Sequence, residues 1–297
     1  LMGILDERSA LRNKVAVIVG GGDGIGRAIS LGLAGAGVNL AICDIDAGAL
    51  EKTRADAAAL GVRVVAIPGD ATDREALAFF YAAIAKVFDR VDILVNVVGG
   101  VLRRRFEDST DEECERDMRR NFGYIVDSVR YALPLIQRSG AGGSIINFTT
   151  IEAHRGAAGF SVYAGAKAAT ANFTRALAVE LGPQRIRVNA LAPDTTSTPG
   201  SLKTLEPEIF ARMATLPPEA AGAGMQMYIP LKEQPSVDDV ANGVLFLASD
   251  LSRAITGTTL HVDGGTWAAG GFMDWPFGDG PCPAPLGGTL ERLYGRS

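Results

Sequence analysis

Short apolar runs rich in β-branched residues alternate with longer Ala-rich stretches from Lys14 to about Asp250. The runs are Val15–Val19, Val38–Cys43, Val62–Ile67, Ile93–Val95, Ser144–Phe148 and Ile186–Leu191, with a last one near Leu260–Val262. Each is apolar almost throughout, the pattern of a strand covered on both faces in a parallel sheet. The stretches between them predict helices that carry their own start signals. Asp73 can cap one running toward Phe88, and Ser109 or Thr110 can open the long one containing Asn121. Strand–helix repetition of this kind predicts a single doubly wound α/β sheet with helices on both faces.

Two segments break the repetition. Thr195 to Pro235 holds six prolines, three methionines and little periodicity, which predicts a long insertion lying over a ligand. Residues 266–297 are rich in Gly and Pro and carry Trp267, Phe272, Trp275 and Phe277, an aromatic tail expected to pack on a neighbour. The expected division is therefore one domain over 1–265, with the insertion at about 195–235, and a tail over 266–297.

Composition narrows the class. With 297 residues, 47% of them hydrophobic, the chain has ample apolar mass for a core. The formal net charge is −5 and no basic stripe runs along it, so nucleic acid and anionic membrane are poor partners. Cys43, Cys114 and Cys282 are widely spaced and form neither a disulfide framework nor a metal pattern, which points to a reducing compartment. No signal-like segment stands at Leu1 to Lys14, and no apolar run approaches the roughly 20 residues of a spanning helix. A soluble, cytoplasmic protein is expected.

The first strand runs straight into Gly20-Gly21-Gly22-Asp23-Gly24-Ile25-Gly26. Glycines there let the backbone turn tightly and let phosphate oxygens approach, and the following helix N-terminus offers free N–H groups. The second strand ends in Cys43-Asp44, 18 residues after Gly26. A carboxylate at that place accepts from both adenosine ribose hydroxyls and repels a 2′-phosphate; with Asp23 nearby and no Lys or Arg, NAD is expected over NADP. The third strand ends at Gly69-Asp70-Ala71, where Asp70 could accept from the adenine amino group. The fourth ends at Asn96-Val97-Val98-Gly99-Gly100. Four successive strand ends carrying Gly or polar residues mark one edge of the sheet as the ligand side.

Tyr163-Ala164-Gly165-Ala166-Lys167 starts an Ala-rich helix, and i, i+4 spacing puts phenol and ammonium one turn apart on one face. A nearby positive charge would lower a tyrosine pKa from near 10, fitting Tyr163 to serve as acid toward a carbonyl or base toward an alcohol. Thr149-Thr150 end the fifth strand and bring hydroxyls to the same edge, ready to hold a substrate oxygen. Asn121 either anchors a water feeding protons to Lys167 or is an ordinary polar helix residue.

From Lys14 to Gly265 the ordered set of motifs resembles the short-chain dehydrogenase/reductase family. The matches are Gly20-x3-Gly-Ile-Gly26, Asp44, Asp70, the Asn96–Gly99 turn, Asn121, Tyr163-x3-Lys167, Arg187-Val188-Asn189, Pro193, Ile255-Thr256-Gly257 and Val262-Asp263-Gly264-Gly265. The resemblance implies a Rossmann-type sheet of order 3-2-1-4-5-6-7. It implies Tyr163 as catalytic acid/base, Lys167 as binder of the nicotinamide ribose, Thr150 as the hydroxyl and Asn121 as the end of the proton relay. It also implies an NAD site over Gly20, Asp23, Gly24, Ile25, Gly26, Asp44, Ile45, Asp70, Ala71, Asn96, Gly99, Tyr163, Lys167, Pro193, Thr196 and Thr198. No metal is expected. Homotetramers or homodimers pairing the long helices and the last strand are implied as well.

Departures from the pattern are Val19, Val98, Asp194 in place of Gly after Pro193, and Thr150 in place of Ser thirteen residues before Tyr163. Thr keeps the hydroxyl but fixes χ1 and narrows the pocket. His261 is expected to be structural. His154 and Arg155 either touch substrate or are solvated. Arg103-Arg104-Arg105 form either a solvated face or a contact for an acidic substrate. Met213, Met225, Met227, Tyr228 and Ile229 make the insertion apolar, which suits a hydrophobic alcohol or ketone or simply its own packing. The expected activity is hydride transfer between NAD(H) and a secondary alcohol or ketone. The alternatives are a catalytically impaired NAD-binding sensor or scaffold, and an epimerase or dehydratase on the same fold.

Overall fold

A computed structural model of the chain describes residues 4–101, 103–198, 218–275 and 280–283. Seven parallel strands form one sheet in the order β3-β2-β1-β4-β5-β6-β7, as the resemblance implies. They are β1 (Val15–Val19), β2 (Asn39–Asp44), β3 (Val64–Pro68), β4 (Ile93–Asn96), β5 (Gly143–Phe148), β6 (Ile186–Pro193) and β7 (Thr259–Val262). All seven lie within two residues of the runs read from sequence. Burial on both faces explains this, because every position of β1 must then be apolar.

Successive residues of β1 feed two separate cores, since side chains alternate across a strand. Val15, Val17 and Val19 face α4 (Arg74–Val87), α6 (Tyr124–Gln137) and α7 (Ser161–Leu181), packing with Leu77, Phe80, Tyr124 and Val129. Ala16 and Ile18 face α2 (Gly24–Gly35), α3 (Ala47–Ala58) and α9 (Val237–Ala248), packing with Ile29, Leu33, Leu50 and Val244. A short α1 (Ile4–Ser9) precedes the sheet.

Helix starts follow the capping residues. Asp73 accepts from the N–H groups of Glu75 and Ala76, and Thr110 forms a capping box with Glu113 at α5 (Asp111–Met118). That long helix is not continuous: α5 passes through a π-helical turn, Arg119–Gly123, into α6. Asn121 sits in this turn, a distortion common at functional sites.

The insertion is less irregular than expected. Its described part contains α8 (Pro218–Tyr228), while 199–217, with Met213, lie outside the described residues. The tail carries α10 (Thr266–Ala269) and an antiparallel pair, β8 (Phe272–Asp274) with β9 (Pro281–Pro283). Phe277 lies outside the described residues. Trp267 packs on its own chain, stacked on His261 with centroids 5.6 Å apart. No described helix is long and apolar enough to cross a membrane.

Candidate active site

The strand order reverses on either side of β1, and the carboxyl ends of β1, β2, β4, β5 and β6 border the resulting crevice. At the end of β1 the chain turns through Gly20, with φ of +92°, and Gly24, with φ of +51°. A Cβ at Gly26 would sit 1.7 Å from the carbonyl oxygen of Gly20, so only glycine lets α2 start this close to the strand. Asp23 caps α2 by accepting from the Gly24 N–H at 2.8 Å. Ile25 packs against the second core, and Thr198 lies over Gly24.

Asp44 closes the far side of the turn. Its Oδ2 accepts from the Gly22 N–H at 2.8 Å and its Oδ1 from the Asp46 N–H at 3.1 Å. A Cβ at Gly22 would lie 2.8 Å from Asp44 Cβ, so this approach requires glycine at position 22. The neighbouring Ile45 is 73% exposed, an apolar side chain held open beside a carboxylate. Asp70 accepts from the backbone and hydroxyl of Thr72 at 2.8 Å. Ala71 is buried in the first core. A glycine cradle at a helix N-terminus, bordered by a carboxylate and an open apolar side chain, fits a dinucleotide.

The Asn96 side chain points inward. It donates to Asn147 Oδ1 at 2.9 Å and accepts from the Ser128 hydroxyl at 2.6 Å, tying β4 to β5 and α6. Only its backbone is left for a ligand. Pro193 ends β6, half-buried, and the Thr196 hydroxyl donates to the Asp194 carbonyl at 3.4 Å.

Tyr163 and Lys167 lie one turn apart near the start of α7, and Lys167 Nζ is 5.9 Å from the centre of the Tyr163 ring. Lys167 is buried and Tyr163 half-buried at the crevice edge. Lys167 Nζ donates to the Phe148 carbonyl at 3.0 Å, and burial takes its pKa down to about 7. The Thr150 hydroxyl acts to lower the pKa of the Tyr163 phenol, yet that pKa is pushed up on balance, first by burial and then by the carboxylates of Glu152 and Asp194. The expected lowering by Lys167 is absent in the protein alone. The amine is turned to a backbone carbonyl and burial weakens its charge, so it does little to lower the phenol.

Thr149 and Thr150 part company. The Thr149 hydroxyl donates to the Lys167 carbonyl at 2.9 Å and pins α7 to β5, leaving only Thr150 facing Tyr163. Asn121 clamps the Asn96–Gly100 turn. Its Nδ2 donates to the Gly100 carbonyl at 2.9 Å, its Oδ1 accepts from the Gly100 N–H at 3.1 Å, and its own carbonyl accepts from Thr170 at 3.1 Å. A Cβ on Gly99 would lie 3.1 Å from both Asn121 Oδ1 and Lys167 Nζ, so Asn121 and Lys167 meet over that glycine.

A polar chain roofs this site, and two of its members, Glu152 and Thr266, were not singled out in the sequence. Thr150 donates to Glu152, Arg155 donates to Glu152 at 2.8 Å and to the Tyr228 hydroxyl at 2.6 Å, and Tyr228 donates to Asp194 at 2.6 Å. The Thr266 hydroxyl completes it, donating to the same Asp194 oxygen at 2.8 Å. A carboxylate two residues after Thr150 was the one available signal. Arg155 is thus held by Glu152 and Tyr228 with its side chain 34% exposed. His154 packs between His261 and Trp267, both at 5.2 Å, and burial lowers the pKa of each imidazole. Arg103 lies over the Phe160 ring, Arg104 pairs with Glu113 at 2.9 Å and Arg105 with Glu107 at 2.5 Å. Among the described residues no cluster of metal-ligating side chains is present.

A profile of the family described as Enoyl-(Acyl carrier protein) reductase matches residues 20–266. An uncharacterized oxidoreductase of Mycobacterium tuberculosis is 34% identical over 255 residues, spanning 86% of this chain and 92% of that protein. Carveol dehydrogenase from Mycobacterium avium, solved in complex with NAD, superposes with a TM-score of 0.79 at 29% identity, over 86% of this chain and 98% of that one. A 7α-hydroxysteroid dehydrogenase, solved with NADH and 7-oxo glycochenodeoxycholic acid, superposes at 0.78 with 30% identity, over 89% and 98%. The chain belongs to the short-chain dehydrogenase/reductase family. It is an oxidoreductase of the class that acts on CH–OH groups.

Proposed function

We propose that the chain transfers hydride between NAD(H) and a secondary alcohol or its ketone, with Tyr163 as the general acid/base. The observation that carries this reading is the convergence of Tyr163, Thr150, Lys167 and Asn121 at the strand ends beside the Gly20–Gly26 cradle. Asp44 and Ile45 would hold the adenosine, with Asp70 and the backbone at Ala71 nearby. The Gly20–Gly26 turn with Thr198 would hold the pyrophosphate, and Lys167, Gly99, Pro193 and Thr196 the nicotinamide end. When bound, the nicotinamide supplies the hydride acceptor or donor. Tyr163 delivers or takes the proton at the substrate oxygen, and Thr150 holds that oxygen in place. Two solved neighbours carry NAD or NADH, which supports the cofactor. The relatives' printed substrates and the apolar residues of the insertion, among them Met225 and Met227, support a largely apolar substrate. Free Cys43 and Cys114 fit the cytoplasm, and the outer face of α5 and α6, with Met118 40% exposed, fits pairing with a second copy into a homodimer or homotetramer.

The test is a spectrophotometric panel of cyclic and acyclic secondary alcohols and their ketones, run with NAD(H) and NADP(H) in parallel. Tyr163→Phe should abolish turnover while NAD still binds. Near-normal rates in that variant would overturn the assignment. NAD binding without turnover across the panel would favour a sensor or scaffold, and product without net NADH an epimerase or dehydratase.

A further inference from the structure

The hydroxyl that meets the substrate has one hydrogen, and Glu152 already holds it. Thr150 donates to Glu152 Oε2, while Arg155 Nη2 donates to the other carboxylate oxygen, Oε1, at 2.8 Å. Glu152 is largely buried, its side chain 14% exposed, and Arg155 is itself anchored to Tyr228 at 2.6 Å. An ionised carboxylate accepts only, so nothing on Glu152 can reverse the direction of the Thr150 bond. Toward the crevice Thr150 is left with lone pairs.

From this geometry we propose that Glu152 is a positioning residue that presents Thr150 to the reacting oxygen as an acceptor, so that the site binds alcohols in preference to ketones. The assignment rests on the function proposed above. An alcohol oxygen can accept from the Tyr163 phenol and donate its own hydrogen to Thr150, making two hydrogen bonds. A ketone oxygen has no hydrogen; it takes one bond from Tyr163 and faces the Thr150 lone pairs. A buried polar atom without a partner is what separates otherwise similar ligands most strongly.

Arg155 makes the test sharp. It has donors only, so in Glu152→Gln it takes the amide oxygen and turns the amide NH2 toward Thr150. Thr150 then accepts from Gln and is free to donate to a carbonyl. The polarity of the hydroxyl is reversed with almost no change in shape.

The overall equilibrium ties the two kcat/KM values together, so the effect is read in binding constants. For the alcohol/ketone pair turned over best in the panel, the alcohol is titrated as a dead-end inhibitor of reduction in the presence of NADH. The ketone is titrated likewise against oxidation in the presence of NAD, at neutral pH. In Glu152→Gln the alcohol should bind about threefold or more weakly and the ketone about threefold or more tightly, and the divergence should vanish in a Thr150→Val background. Constants that stay put, or that move in the same direction as a merely loosened loop would make them do, overturn the assignment. If the wild-type protein binds NAD but turns over no pair, the proposed function fails and the role of Glu152 with it. If turnover is normal and the constants do not diverge, only the role of Glu152 fails.

Discussion

Gly99→Ala puts the meeting of Lys167 and Asn121 to a direct test. The added methyl would lie 3.1 Å from Asn121 Oδ1 and 3.1 Å from Lys167 Nζ. Contact is comfortable from about 3.5 Å, so one or both atoms must retreat by about 0.4 Å. Neither is free to do so: Asn121 is held through both ends of its amide by Gly100, and Lys167 by the Phe148 carbonyl. Overpacking of this kind costs about 1–3 kcal/mol, and the stiffer unfolded chain returns about 0.4–1 kcal/mol, for a net loss of roughly 0–2.5 kcal/mol. Gly99 is not among the positive-φ glycines, so alanine adds no backbone strain. A misplacement near 1 Å can cost about 100-fold in rate, and a shift of roughly half that should lower kcat by about tenfold. The variant should therefore fold, with a urea midpoint slightly reduced and an unchanged m value, yet turn over far more slowly on the substrate the panel identifies. A kcat within about twofold of wild type, with unchanged NAD affinity, would refute the claim that the positions of Lys167 and Asn121 matter to the chemistry.

Lys167→Met tests the burial of the amine. The native pKa of about 7 lies below the usual 10.5, so between these values the unfolded chain binds more protons and stability rises with pH. Relative to the Met variant, wild type should gain stability from near pH 7 upward and level off near pH 10.5; urea midpoints that differ by a constant across that range would remove the burial argument. Asp44→Ala removes the carboxylate that accepts from Gly22 and Asp46 and faces the expected ribose. NAD affinity should fall about tenfold or more in fluorescence titrations and NADP affinity much less, and an equal loss for both would show that Asp44 shapes the turn without selecting the cofactor.

The strands and the cofactor edge were legible because their physics is local. A strand buried on both faces must be an unbroken apolar run, so Val15–Val19 could be read to the residue. Glycine at position 26 is demanded by a carbonyl oxygen six residues away in the same turn. The caps at Asp73 and Thr110 act over two or three residues and were equally visible. The π turn at Arg119–Gly123 left no mark in composition, and a helix pattern ran straight through it. Helix α8 was missed for the opposite reason, since six prolines across the insertion hid the Ala and Met residues that form it. Thr149 and Thr150 are adjacent and chemically identical, and only the alternation of β5 decides which one faces Tyr163.

The roof of the site shows why the departure at position 194 could be noticed but not interpreted. As a sequence feature Asp194 is a single misplaced charge. In the fold it is one end of a chain whose other members come from positions 150, 152, 155, 228 and 266, and no spacing rule links segments so far apart. Each carboxylate of that chain receives two donors, Glu152 from Thr150 and Arg155, Asp194 from Tyr228 and Thr266. Both carboxylates raise the proton affinity of the Tyr163 phenol. Lys167, turned to the Phe148 carbonyl and with its pKa lowered by burial, does not oppose them. Burial and the two carboxylates outweigh the one group that favours a phenolate, Thr150, so under the proposed function the resting phenol is an acid. Its service as a base waits on positive charge arriving with the oxidised cofactor.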